Sequence, residues 1–348
     1  MWISPDDSRL QYSGRIDFSN PQAPVLIWPS SYVRLRFQGA DVAVELENRR
    51  AYWKNDIGYV LDGEVYQVRL QDDGTQRLVI KTKKEEQKEH ELILYKRMDA
   101  CHHVTIHGFE LGDDAVLLQP SELPKRRIEV YGDSVSAGEV SEAVAYVKKA
   151  DPVHEGQYSN SWYSYAWMTA RKLDAQLHNI AQGGVALLPG TGWFAEPDYI
   201  GMEQIYDKVS YHPSLGEIKE WDFSRYVPQV VIVAIGQNDN HPTDYMADDP
   251  AGEQAQHWKN HYEQFVRELR AHYPKATMIL TTTILEHHKN WDDAIEEVCQ
   301  RLQDEKIHHF LYRDNGCGTP GHIRIPEAEQ MAEELSSYIE SLGANIWI

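Results

Sequence analysis

Ser134 is the side chain whose type and setting best suit a nucleophile. It closes the run Ile128-Glu129-Val130-Tyr131-Gly132-Asp133-Ser134, an apolar strand pattern that stops at Gly-Asp-Ser. In an open α/β sheet, the carboxyl end of a strand faces the crevice where ligands bind. A serine there becomes reactive when a base and oxyanion donors reach it. Alone, Gly-Asp-Ser also reads as an ordinary helix cap, because Asp and Ser both satisfy free N–H groups. Three further blocks supply what catalysis would need. Gly236-Gln237-Asn238-Asp239 follows the apolar run 230–235, so a side-chain amide would stand at the same sheet edge. Asn179-Ile180-Ala181-Gln182-Gly183-Gly184 follows another strand pattern, and paired glycines let a backbone N–H approach a ligand closely. Thr319-Pro320-Gly321-His322 precedes the last helical pattern, where a histidine can serve as general base. The chain holds 16 histidines, so His322 stands out by position rather than by type.

The elements that position these residues follow from periodicity. From about residue 13 to 118, short runs alternate apolar and polar side chains, as in Val33-Arg34-Leu35-Arg36-Phe37 and Val42-Ala43-Val44-Glu45-Leu46. This is the pattern of half-buried strands. Asp62-Gly63, Asp73-Gly74 and Gly112-Asp113 mark turns between them. Many short strands at regular spacing predict an all-β sandwich or jelly roll over residues 1–121. After a proline-bearing linker near 119–125, strands at 128–131, 176–180, 230–235, 278–283 and 309–312 alternate with helices at 162–173, 253–272, 292–303 and 326–342. That alternation predicts an α/β domain over 122–348, a parallel sheet between helices. The irregular stretch 187–226 interrupts it, and long connections of this kind are often functional.

Composition narrows the partners. A formal net charge of −20 argues against nucleic acid or an anionic membrane and suits a neutral small-molecule or oligosaccharide substrate. The 3 cysteines, Cys101, Cys299 and Cys317, are widely spaced and odd in number, which fits neither a disulfide framework nor a metal site. The paired histidines at 102–103, 287–288 and 308–309 are poor chelators, since neighbours on a strand point to opposite faces. No metal or organic cofactor is expected. The start, Met1-Trp2-Ile3-Ser4-Pro5-Asp6-Asp7, lacks the basic and apolar regions of a signal peptide, and a cytoplasmic protein is expected.

These blocks together resemble the SGNH (GDSL-type) hydrolases, which have a flavodoxin-like three-layer fold and contribute a serine, a glycine, an asparagine and a histidine. By that resemblance Ser134 is the nucleophile and His322 the general base, placed by its distance to Ala332. Ser134, Gly184 and Asn238 form the oxyanion hole. Gly184 is matched by its spacing from Asn179, with Gly183 beside it. The whole chain resembles carbohydrate esterase family two, which joins a jelly roll to an SGNH domain. Val25-Leu26-Ile27-Trp28-Pro29, Arg34-Leu35-Arg36-Phe37-Gln38-Gly39, Tyr95-Lys96-Arg97 and Gly108-Phe109-Glu110-Leu111 carry the first-domain likeness. The resemblance implies a serine esterase that removes acetyl groups from sugar hydroxyls. Gly183, Asp133, Asp239, Trp193 and Tyr211, with Phe194 and Tyr199, are the candidate substrate contacts.

One position departs from the pattern. Thr319 stands three residues before His322, where most SGNH hydrolases have the aspartate that orients the imidazole. The expectation is therefore a Ser–His dyad whose ring is held by a backbone carbonyl. Spacing gives no warrant for Asp314 or Glu327 as substitutes. Two other readings are an SGNH lipase or thioesterase acting on other acyl esters and a carbohydrate-binding protein with decayed catalysis. A phospho-acceptor at Asp133 would need an acidic pair before it, which the sequence lacks.

Overall fold

A computed structural model describes residues 1–82, 88–99 and 101–348. The chain forms two compact units. The first comprises Met1–Leu123 with two later segments, His154–Gln157 and Val209–Glu220. The second comprises Pro124–Val153, Tyr158–Lys208 and Trp221–Ile348.

The first unit is a sandwich of two antiparallel sheets. One runs Ile16–Asp17, Val25–Leu26, His102–Leu111, Asp41–Arg50, Gly74–Lys81, and the other Val116–Leu118, Tyr32–Gln38, Glu89–Lys96, Asp56–Leu61, Glu64–Arg69. Alternation explains the core. Along Tyr32–Gln38, Val33, Leu35 and Phe37 are fully buried while the residues between them are partly exposed. Asp62-Gly63 makes the two-residue turn between Asp56–Leu61 and Glu64–Arg69, with φ of +52° and +86°, as hairpin twist requires. The strand Asp56–Leu61 has no clean alternation because it is buried on both faces. Gly58 lies in it because the Tyr95 ring passes 2.1 Å from where a Cβ would stand. The segment 209–220 returns to this unit through Tyr211, whose ring packs on Trp28 at 4.4 Å, and through Lys219 Nζ, which donates to Asp17 at 2.7 Å.

The second unit is built on a five-stranded parallel sheet in the order Ala175–Ala181, Arg126–Gly132, Val230–Ala234, Thr277–Thr281, Ile307–His309. Its apolar strands are buried on both faces, as parallel sheets require. Helix Tyr165–Lys172 packs with Ile325–Ser341, and Glu253–His272 with Asn290–Leu302. Right-handed crossovers put these pairs on opposite faces of the sheet, giving three layers. The last strand begins and ends earlier than the predicted 309–312. The Ile307 N–H closes a turn on Asp304 C=O, and Phe310 N–H makes the final bond to Leu280 C=O. Among the described residues, no helix is long and apolar enough to cross a membrane.

The strand order sets the site. The chain leaves the Arg126–Gly132 strand for one neighbour and later returns on its other side. The switch point therefore lies at the carboxyl ends of Arg126–Gly132 and Val230–Ala234. Gly132 is level with both Ala181 and Ala234. The Ser134, Gly184 and Asn238 blocks thus emerge side by side.

Candidate active site

At the first strand end, Asp133 is extended and caps the short helix Ser134–Ala137, accepting the Val135 N–H at 3.0 Å. Gly132 is required there, because a Cβ would meet Ser136 Oγ at 2.1 Å. The other Asp133 oxygen accepts from Gln237 Nε2 at 2.5 Å and from Asn238 Nδ2 at 3.2 Å. Gln237 is held in turn by Thr283 Oγ1, which donates to its Oε1 at 2.7 Å. Asp133 thus fastens the serine turn to the next strand end. Burial pushes its carboxyl up to about 6, against the hydrogen bonds from Val135 and Gln237 and the charge of His322.

Asn238 Nδ2 also donates to Val185 C=O at 3.1 Å, so its amide bridges Asp133 and the glycine loop. Gly184 has a φ of +73°, and a Cβ on it would lie 2.9 Å from Trp193 Cβ. Its carbonyl accepts the Trp193 N–H at 2.8 Å and the Phe194 N–H at 3.2 Å. Among the described residues the Ser134 and Gly184 N–H groups have no protein acceptor, which suits donors awaiting a ligand oxygen.

The histidine corner differs from the expected dyad. His322 Nδ1 meets Asp151 Oδ2 at 2.5 Å, and the His322 backbone N–H donates to Asp151 Oδ1 at 2.9 Å. A carboxylate only accepts, so Nδ1 carries the proton and Nε2 is left to act as base. The ring is therefore oriented by Asp151, not by a backbone carbonyl. The fully buried Arg324 fixes Asp151 from behind, Nη2 to Oδ1 at 2.8 Å, and also donates to His322 C=O. Burial would raise the Asp151 carboxyl, but the His322 and Arg324 hydrogen bonds and charges outweigh it and hold the group well below the usual range. Burial would likewise lower the His322 imidazolium. Glu139, then Asp151 and Asp133, outweigh that effect and raise it above its ordinary 6.5. Glu139 Oε2 lies 3.9 Å from Nε2. Among the described residues Ser134 Oγ and His322 are not joined by a hydrogen bond; such contacts often tighten only with substrate bound.

Several expected residues sit elsewhere. Thr319 is buried, its carbonyl accepting the Glu286 N–H at 3.0 Å and its hydroxyl the Gly321 N–H at 3.4 Å. Glu327 closes the start of the last helix by accepting the Arg324 N–H at 2.8 Å. Asp239 was a candidate substrate contact, but it is fully buried and holds the glycine loop. Its oxygens accept the N–H of Leu187 at 2.9 Å and of Leu188 at 3.2 Å. Burial pushes Asp239 up to about 7 against those two bonds. Tyr211 is core of the β-sandwich unit, and Phe194 is buried. Gly183 stays half-buried beside Gly184, and Tyr199 is half-buried. Trp193 is 60% exposed and stacks on His241 at 3.5 Å. His241 Nδ1 donates in turn to Gly192 C=O at 2.7 Å. Among the described residues no cluster of three or more His, Cys, Asp or Glu side chains could hold a metal ion.

A parallel sheet carrying serine, glycine, asparagine and histidine blocks at one edge defines an SGNH-type serine hydrolase fold. The GDSL-like lipase/acylhydrolase family model matches residues 130–311, and the carbohydrate esterase 2 N-terminal model matches residues 12–120. The chain belongs to the GDSL-like lipase/acylhydrolase family, with a carbohydrate esterase 2 N-terminal domain before it. Ser134, Gly184 and Asn238 fall inside the matched segment and His322 beyond it. Over 97% of its length the chain is 30% identical to the cellulase/esterase CelE of Acetivibrio thermocellus, and it spans 40% of that protein. It is 27% identical to an acetylxylan esterase/glucomannan deacetylase of Cellvibrio japonicus, covering 98% of this chain and 90% of that one. A family two carbohydrate esterase from Clostridium thermocellum, solved with cellohexaose, superposes with a TM-score of 0.80 at 27% identity, over 97% of this chain and 100% of that one.

Proposed function

We propose that this protein is a serine esterase that removes O-acetyl groups from carbohydrates through an acetyl-enzyme, with Ser134, His322 and Asp151 acting as a triad. The observation that carries the reading is the Asp151–His322 pair, 2.5 Å apart, beside a serine and two free N–H groups on one sheet edge. His322 Nε2 takes the Ser134 proton as Oγ adds to the acetyl carbon. The oxyanion is held by the Ser134 and Gly184 N–H groups. Asn238 joins them when its amide turns from Asp133 and Val185. The intermediate collapses, the C–O bond to the sugar breaks, and His322 returns the proton to the leaving oxygen. Water, deprotonated by His322, then adds to the acetyl carbon and releases acetate, and Ser134 recovers its proton.

The relatives act on or bind polysaccharides by their names, and the N-terminal domain is shared with that group, which supports a sugar leaving group over a lipid one. Trp193 offers an exposed aromatic face next to Gly184, suited to the C–H face of a sugar ring. The substrate is a neutral acetylated oligosaccharide, and the setting we propose for the reaction is the cytoplasm. The Asp151–His322 contact at 2.5 Å supports a working esterase over a decayed, purely binding protein.

The test is hydrolysis of 4-nitrophenyl acetate, butyrate and octanoate by wild type, Ser134→Ala and His322→Ala, followed by acetylated xylo- and manno-oligosaccharides. Activity that is confined to short acyl groups and lost in both variants supports the reading. A folded wild type inactive on every ester contradicts it.

A further inference from the structure

Glu139 has no part in the triad, yet its carboxylate lies 3.9 Å from His322 Nε2. That nitrogen hands the proton to the leaving alcohol, so the two groups face the same space. The placement of Glu139 is built into the fold. Helix Ser134–Ala137 ends at Gly138, whose φ is +82° and whose Cβ would strike Asn160 C=O at 2.5 Å. Glu139 N–H then donates back to Ser134 C=O at 2.9 Å. The next residue, Val140, has a φ of +56°. A β-branched residue in the left-handed region is strained and persists only where its surroundings impose it. The turn is fixed from outside as well: Asn160 N–H donates to Gly138 C=O at 2.9 Å, and Ile325 N–H, at the start of the helix that follows His322, donates to Ser141 C=O at 2.9 Å. One scaffold therefore carries the nucleophile, Glu139 and the base.

We propose that Glu139 is a specificity-determining residue that accepts a hydrogen bond from a hydroxyl on the carbon next to the ester-bearing carbon of the leaving alcohol. The inference rests on the esterase reading of this site. When the ester oxygen is within reach of Nε2, a hydroxyl one carbon away lies beside the Glu139 carboxylate. A carboxylate acceptor makes a strong, charge-assisted hydrogen bond with a hydroxyl. It also repels an anionic leaving group. Glu139 thereby selects partly acetylated, neutral polyols over simple alkyl, fully acetylated or acidic ones.

The test compares kcat/KM for 2-hydroxyethyl acetate and 2-methoxyethyl acetate, which differ only in the donor. Wild type should favour the hydroxy ester by about tenfold. The preference should shrink in Glu139→Gln and vanish in Glu139→Ala. A residue that acted only through the charge of His322 would change both esters by the same factor and move the acid limb of the pH profile. A preference that survives both substitutions, or a wild type that hydrolyses both esters equally, overturns the proposal and leaves the esterase reading standing. A wild type inactive on both, and on 4-nitrophenyl acetate, removes both readings. Because Glu139→Gln keeps the side chain's shape, it serves if the alanine variant does not fold.

Discussion

The nucleophile corner and the histidine corner each contain an aspartate, and the two are driven in opposite directions. Asp133 is buried at a helix cap among neutral donors, and its carboxyl is pushed up to about 6. Asp151 sits between His322 and Arg324, and its carboxyl is held well below the usual range. Local charge explains the difference: desolvation raises both, but only Asp151 has cations close enough to reverse it. The same side chain therefore does two jobs. Asp133 fastens the serine turn to Gln237 and Asn238 at the next strand end. Asp151 keeps a full negative charge against the His322 ring.

The substitutions that test this contrast fall in order of size. Ser134→Ala or His322→Ala should lower kcat on 4-nitrophenyl acetate by about 10⁴-fold or more, and combining them should cost little beyond either alone, because the residues act as a unit. Asp151→Asn should lower kcat by roughly 10²–10⁴-fold, whereas Thr319→Ala should stay within about tenfold, since among the described residues Thr319 hydrogen-bonds only to backbone. Equal losses at 151 and 319 would break the contrast. Asp239→Ala should act on stability first. It leaves two buried N–H groups without acceptors, at about 1–3 kcal/mol each, and a urea melt should show it. Trp193→Ala should be mildest, raising KM for acetylated oligosaccharide a few-fold more than KM for 4-nitrophenyl acetate, in keeping with about 0.5–1.5 kcal/mol for a stacking face; equal shifts would remove it from the sugar site.

Much of this site was legible because its signals are local. Ser134, Gly184 and Asn238 each follow an apolar run that ends at the same sheet edge, and strand runs predict such edges. His322 was legible from its place before the terminal helix. Asp151 was not. It lies 171 residues from His322 in sequence, in an irregular segment with neither periodicity nor cap to mark it. Only the folded chain brings the two together. Glu139 was hidden for a similar reason, since its position depends on the left-handed turn through Gly138 and Val140. Tyr211 and Asp239 misled by neighbourhood. Aromatic content in an irregular stretch does not distinguish a cleft wall from a segment that packs into the sandwich. A carboxylate beside a candidate oxyanion donor does not reveal that it turns away toward Leu187 and Leu188. In the β-sandwich the alternating strands were readable, whereas Asp56–Leu61, buried on both faces, had no alternation to read.

The pH dependence of kcat/KM in wild type and Asp151→Asn tests the triad most directly. His322 acts as base only when neutral, and its raised affinity for the proton places the acid limb above pH 6.5. Removing the Asp151 charge destabilises the imidazolium: Glu139 and Asp133 still favour it, but Arg324, no longer offset by Asp151, opposes it. The limb should therefore move to lower pH while the plateau falls by roughly 10²-fold or more. An acid limb that stays in place with an undiminished plateau would contradict the assignment of Asp151 to the catalytic histidine.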